Sequence, residues 1–237
     1  MVGVRLPRGF GLYETVHAIA LLGAVYCPID PDLPPARVEA MLDDAGVVEV
    51  VVDPDALATD EPYQREPPGD LDAPAYLLFT SGSTKLPKAV INTHRMWCAN
   101  QQQMTQSMPV LTEEPLVLVD WLPWNHTFGG NHNFGMVLYH GGTLYIDDGK
   151  PTPALVGETL RNLREVAPTV YFNVPTGFEA IANAMKEPID EGRALRKNFL
   201  SRVKMFFYAG AALSQPIWDS LYESEEAEIG QRIVMTS

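Results

Sequence analysis

Leu77-Leu78-Phe79-Thr80-Ser81-Gly82-Ser83-Thr84-Lys85-Leu86-Pro87-Lys88-Ala89-Val90 is an apolar strand running into a loop dense in hydroxyls and then into a second strand. Small residues let backbone N–H groups approach an anion. The hydroxyls of Thr80, Ser81, Ser83 and Thr84 add donors, and Lys88 supplies positive charge to a polyphosphate. The pattern GxxxxGK[ST] is absent, so this is not an ordinary P-loop. A Ser/Thr-rich surface turn between two strands has the same composition, and the residues alone leave both readings open.

Upstream of this stretch, Leu12, Val16 and Ile19 share one helical face, and Gly23 closes that helix before a short buried strand, Val25 to Ile29. Pro35 suits a first helical position, with the helix running to about Asp44 and stopping at Gly46. The β-branched run Val47 to Val52 then predicts another strand. From Asp53 to Pro74 prolines and acids lack apolar periodicity, which predicts a connecting loop. Strands are expected over Ala75 to Thr80 and Ala89 to Asn92, followed by a helix that Thr93 caps.

Downstream, Leu116 to Asp120 reads as a strand, Val156, Leu160 and Leu163 stand at helical spacing, and strands are expected at Thr169 to Phe172 and Val203 to Tyr208. This alternation predicts an α/β fold with largely parallel sheets flanked by helices. The expected organisation is a partial first α/β lobe over residues 1–52, a connection over 53–74, and an α/β lobe over 75–237.

Composition narrows the function classes. Seventeen Lys and Arg against thirty Asp and Glu give a net charge of −13, which disfavours nucleic acid as a partner. No stretch reaches the roughly 18 consecutive apolar residues of a membrane span. Cys27 and Cys98 have no CxxC or Cys/His spacing, so neither a disulfide framework nor structural zinc is suggested, and a reduced, cytoplasmic setting fits. His126, His132 and His140 fall within fifteen positions, but no carboxylate or cysteine joins them at ligand spacing, so no metal site is expected.

The segment from Leu77 to Val90 resembles the signature loop of the adenylate-forming (AMP-binding, acyl-CoA synthetase) superfamily, a TSGST or TSGTT run followed by Gly-x-Pro-Lys-Gly. The resemblance implies that Thr80, Ser81, Gly82, Ser83, Thr84 and Lys88 contact the β- and γ-phosphates of ATP. Lys85 stands where that pattern has Gly, and Ala89 where the last Gly is common. The form Lys-Leu-Pro-Lys-Ala resembles feruloyl-CoA synthase-like sequences.

Leu21 to Pro31, with Pro35-x-Arg37, resembles a structural element of the same family. In Asp120 to Gly130, Pro123, His126 and Gly129 match a Pro-x-x-His-x-x-Gly stretch. A lone histidine among aromatics is more often packed than catalytic. The resemblance instead implies that His126 gates and shapes the acyl pocket together with Trp124 and Phe128. His132 is a second histidine that can face substrate, in the polar insert Asn131 to Gly135.

Phe206 to Leu213 resembles the family's Gly-Gly-Ala segment, which gives Gly210 and Ala211 the adenine. Tyr171 to Thr176 resembles a Val-Pro-Thr stretch that lines the acyl pocket, here with Pro175 and Thr176. Trp121, Trp124, Phe128, Phe134, Phe172 and Phe178 can stack on a phenylpropanoid ring, although core packing explains most of them equally well.

The resemblance implies activation of a ferulate-like aryl carboxylate by ATP with Mg2+, and transfer to CoA. Residues from Tyr76 onward are similar to the feruloyl-CoA synthase branch, and Met1 to Asp72 to amino-acid-adenylating domains. The chain stops where the family continues to a Gly-x-Thr-Glu segment and a C-terminal domain, so it is expected to be part of the large N-terminal domain. The alternatives are a non-catalytic nucleotide-binding fragment and an amino-acid-adenylating remnant.

Overall fold

The computed structural model describes residues 1–57, 64, 66, 69–80 and 88–237. They divide into two compact units, Met1–Gln102 with Pro123–Thr127, and Gln103–Leu122 with Phe128–Ser237.

The first unit carries β1 (Val2–Val4), α1 (Phe10–Leu21), β2 (Tyr26–Pro28), α2 (Pro35–Ala45), β3 (Glu49–Val51), β4 (Pro74–Thr80), β5 (Lys88–Thr93) and the start of α3 (His94–Ser107). Leu12, Val16 and Ile19 are the buried face of α1, as their spacing predicts. α2 starts on Pro35 and ends at Gly46, whose φ of 59° is left-handed, the conformation that lets a helix stop without strain. The strand expected over Val47 to Val52 is confined to β3, with Val48 and Val52 exposed at 81% and 66%. The sequence reading assigned no strand to Val2–Val4, yet β1 sits between β3 and β2.

The sheet order is β3-β1-β2-β4-β5. Every pairing in it is parallel except that of β4 with β5. β4 and β5 thus hydrogen-bond into the same sheet as β1, β2 and β3, across the expected connection at 53–74. Thr93 caps α3 as its residue type suggests, its Oγ1 accepting the Met96 N–H at 3.2 Å.

The second unit runs β6 (Val117–Asp120), a π-helix (Phe128–Phe134), α4 (Gly135–His140), β7 (Thr143–Ile146), α5 (Val156–Glu165), β8 (Val170–Asn173), α6 (Pro175–Lys186), α7 (Asp190–Phe199), β9 (Met205–Tyr208), α8 (Gln215–Ile229) and β10 (Val234–Thr236). β6 pairs with β7, and the other three strands order as β10-β9-β8, all parallel. Period-2 alternation sends Tyr171 and Phe206 into one core with Leu163, Phe178, Phe199 and Leu221. Phe172 and Met205 go into another core with Leu118 and Met136. A sheet covered on both faces explains why β8 and β9 read as unbroken apolar runs. Among the described residues no helix is long and apolar enough to cross a membrane.

Candidate adenylation site

In the first unit β4 ends on Thr80 and β5 begins on Lys88, and the two residues face each other in register. Both are exposed, so a hydroxyl and an ammonium stand together at the carboxyl end of β4. Open α/β sheets bind their ligands at the carboxyl ends of parallel strands. Ser81, Gly82, Ser83 and Thr84 lie outside the described residues.

The carboxyl end of β2 carries the second part of this edge. Asp30 Oδ1 accepts the Asp32 N–H at 2.9 Å, and its Oδ2 accepts Asn125 Nδ2 at 3.3 Å. That bond fastens Pro123–Thr127, flanked in sequence by second-unit residues, to the first unit. Trp124 is buried there, 6% exposed, while His126 is exposed on a turn whose N–H donates to the Pro123 carbonyl at 3.2 Å. Because β2 and β4 are parallel neighbours, Asn125 is tied to the same end of the sheet as Thr80.

In the second unit β6 ends on the buried Asp120, whose Oδ1 accepts the Leu122 N–H at 3.2 Å and Asn133 Nδ2 at 3.0 Å. Asn133 Oδ1 in turn meets His132 Nδ1 at 2.8 Å. The His132 ring lies 5.6 Å from Phe128, 4.9 Å from Phe172 and 5.1 Å from Phe207, centroid to centroid. Burial among these rings lowers the His132 pKa below the ordinary histidine value, against the opposing effect of the Asn133 hydrogen bond. The π-helix gathers this cluster. Its extra residue per turn places polar Asn131, His132 and Asn133 on a segment that continues into the apolar turn of α4.

Asn173, buried at the end of β8, is a second polar hub. Its Oδ1 accepts Trp121 Nε1 at 3.0 Å, its Nδ2 donates to the Tyr171 hydroxyl at 2.9 Å, and its carbonyl accepts the Ala209 N–H at 3.3 Å. Beyond it Pro175 and Thr176 open α6, Pro175 half-buried and Thr176 exposed. After β9 the chain turns at Gly210, whose φ of +93° favours glycine, and Gly210 and Ala211 are both exposed. Phe178 is fully buried between Tyr171 and Phe206, and Phe134 is 5% exposed, so both are core rings rather than ligand-facing ones.

Thr80 with Lys88, and Asn125 beside His126, are therefore organised in the first unit. Phe128, Pro175, Thr176, Gly210 and Ala211 belong to the second. The Asp120-Asn133-His132 chain and the Asn173 hub were not assigned from sequence. Their signal was a polar residue closing an apolar strand, at Asp120 and again at Asn173.

A family model described as AMP-binding enzyme matches residues 1–233. Tyrocidine synthase 3 of Brevibacillus parabrevis is 25% identical over 248 residues, which cover 97% of this chain and 4% of that protein. Phosphinothricin tripeptide synthetase PhsB of Streptomyces viridochromogenes is 28% identical over 253 residues, covering 94% of this chain and 19% of that one. A solved malonyl-CoA ligase, with methylmalonyl-CoA and AMP bound, superposes with a TM-score of 0.75 at 22% identity, covering 100% of this chain and 51% of that one. The o-succinylbenzoate CoA synthetase of Bacillus subtilis, in complex with its acyl-adenylate intermediate, gives 0.75 at 18% identity, covering 94% of this chain and 58% of that one. The chain thus spans about half the length of these solved structures and a small part of the peptide synthetases.

Proposed function

Because the chain belongs to the AMP-binding enzyme family, we propose that it serves ATP-dependent activation of an aryl carboxylate as an acyl-adenylate, on the way to a CoA thioester. The substrate carboxylate attacks the α-phosphorus and releases pyrophosphate, and the CoA thiol then displaces AMP. Thr80, Ser81, Gly82, Ser83, Thr84 and Lys88 take the β- and γ-phosphates in this reading, and Gly210 and Ala211 border the adenine. His126, Trp124, Phe128, Pro175 and Thr176 shape the acyl pocket. Catalysis of this kind is alignment and charge neutralisation, which suits a loop of donors and a lysine more than a nucleophile.

The observation that bears on the aryl assignment is that the half-buried rings of Phe128 and Phe207 stand beside His132, while Phe172, 2% exposed, belongs to the core. Among the described residues no group of three or more His, Cys, Asp or Glu side chains could hold a metal ion. Magnesium would arrive with ATP, bound to its phosphates.

Ferulate-dependent exchange of labelled pyrophosphate into ATP, with Mg2+ and no CoA, tests the first half-reaction. Exchange with ferulate and not with amino acids is the expected result. Exchange with an amino acid alone would select the second reading, amino-acid adenylation, which the peptide synthetases aligned along nearly the whole chain favour. No exchange in folded protein that ATP still stabilises would leave a nucleotide-binding module.

A further inference from the structure

The amide of Asn173 has only one orientation that suits its neighbours. Trp121 Nε1 and the Val174 backbone N–H are both donors, at 3.0 and 2.8 Å, so the atom that receives them is the carbonyl oxygen, and the amide nitrogen donates to the Tyr171 hydroxyl at 2.9 Å. Asn173 and Tyr171 are buried, whereas Trp121 is half-buried. With its one polar atom committed to Asn173, the indole has only apolar ring surface left to offer. The bond lies where the strand order reverses. β6 runs beside β8, since the Thr169 N–H donates to the Val117 carbonyl at 3.0 Å, and Trp121 meets Asn173 at the same separation of 52 positions. From β6 the chain goes to β7 on one side, and from β8 to β9 and β10 on the other. Parallel sheets take their ligands in the crevice outside the carboxyl ends of the strands at such a reversal. On the far side of Asn173, its backbone carbonyl accepts the Ala209 N–H, and a Cβ on Gly210 would lie 3.8 Å from Val174. Asn173 thus joins Trp121, the start of α6 with Pro175 and Thr176, and the turn at Gly210 and Ala211.

From this geometry we infer that Trp121 is a wall of the acyl pocket, and that Asn173 is the positioning residue that holds its indole at the crevice between β6 and β8. The inference rests on the aryl-carboxylate reading above and assigns two further residues to that site. Asn173 acts without touching the acid. A ring whose direction is fixed before the ligand arrives loses no rotamer freedom on binding, so the Trp121–Asn173 bond contributes to affinity through preorganisation. Gly177, one turn into α6, leaves the room that this amide occupies, because a Cβ there would collide with the Asn173 side chain.

The test measures cinnamate affinity by calorimetry, and the change in tryptophan emission on binding, in the wild type, Trp121→Phe, Asn173→Ala and Asn173→Asp. The wild type should show a saturable emission change that is absent from Trp121→Phe. Affinity should fall about three- to tenfold in Trp121→Phe, which keeps a ring but has no N–H for Asn173 to hold, and as far in Asn173→Ala. Asn173→Asp, with an acceptor in the same place, should restore both the affinity and the emission change. A loss caused only by a weakened core would leave the Trp121 signal in place. Should Asn173→Ala fail to fold, Trp121→Phe decides alone, since it leaves the amide and its bonds to Val174 and Tyr171 untouched. Unchanged cinnamate affinity in Trp121→Phe, or an emission change of equal size there, would overturn the inference and leave the aryl-carboxylate reading intact. A Trp121 signal with phenylalanine and none with cinnamate would keep the wall and overturn that reading. No Trp121 signal with either acid would overturn the inference.

Discussion

Glu225 of α8 is wholly buried. Its Oε2 accepts the Ile233 N–H at 2.8 Å, and its Oε1 has no hydrogen-bond partner among the described residues. Burial raises its pKa from 4.5 to about 7, against the smaller opposing effects of the Ile233 N–H and of Arg232. Between these two values the folded chain holds a proton that the unfolded chain has released, so stability is greatest below about 4.5 and falls as pH rises to about 7. The loss is bounded at about 3 kcal/mol. Glu225→Gln cannot ionise, so its melting temperature should fall less between pH 5 and pH 8 than that of the wild type. Parallel melting curves for the two proteins across that range would exclude Glu225 as the source. Nothing around Glu225 in the sequence announces this behaviour, since it stands in an acid-rich run, Glu223 to Glu228, that reads as solvated. Its burial depends on the return of β10 beside β9, a pairing absent from local pattern.

At the scale of elements, the features legible in sequence are those with local causes. Thr93 caps α3, Gly46 ends α2, and the face of α1 follows its period, because each is decided within a few residues. What escaped reading was decided across distance. Asn173 meets Trp121 fifty-two positions away. The π-helix runs over seven residues with i→i+5 bonding, a spacing that an apolar period of about 3.6 does not register. Gly177 shows the cost of such a junction. A Cβ there would come within 2.2 Å of the Asn173 side chain, so Gly177→Ala must displace the amide that holds Trp121. The expected loss is about 1–3 kcal/mol, read from chemical denaturation, with a change in Trp121 fluorescence.

Asp147 performs a similar service after β7. Its carboxylate accepts Thr159 Oγ1 at 2.6 Å, the Gly149 N–H at 2.8 Å and Asn162 Nδ2 at 2.9 Å, fastening the loop after β7 to α5. Asp147→Ala strands these donors together and should cost about 2–4 kcal/mol. Thr93→Ala removes a single exposed cap and should cost about 1 kcal/mol. Comparison of the two urea midpoints checks the order, and an equal loss would mean that the Asp147 donors find new partners.

For the molecule as a whole, thirty acidic residues against seventeen basic ones set a field that repels a polyanion. If the chain nonetheless takes ATP, affinity must come from the local donors around Thr80 and Lys88 and from a cation carried on the phosphates. A ligand that binds only the folded state stabilises it by about 2.7 kcal/mol at a hundred times its dissociation constant. In a chain of this size that corresponds to a rise in melting temperature of about 5–10 °C. ATP with Mg2+ should give that rise, and chelation of the metal should remove more than half of it, since the nucleotide then meets the field with its full charge. Lys88→Ala should shrink the Mg2+-ATP shift further, while duplex DNA, a polyanion that the net charge of −13 repels, should give none. An ATP shift that is the same with and without Mg2+ and unchanged in Lys88→Ala would place the nucleotide elsewhere than at the end of β4, because neither of the two charges assigned to balance its phosphates would then be felt.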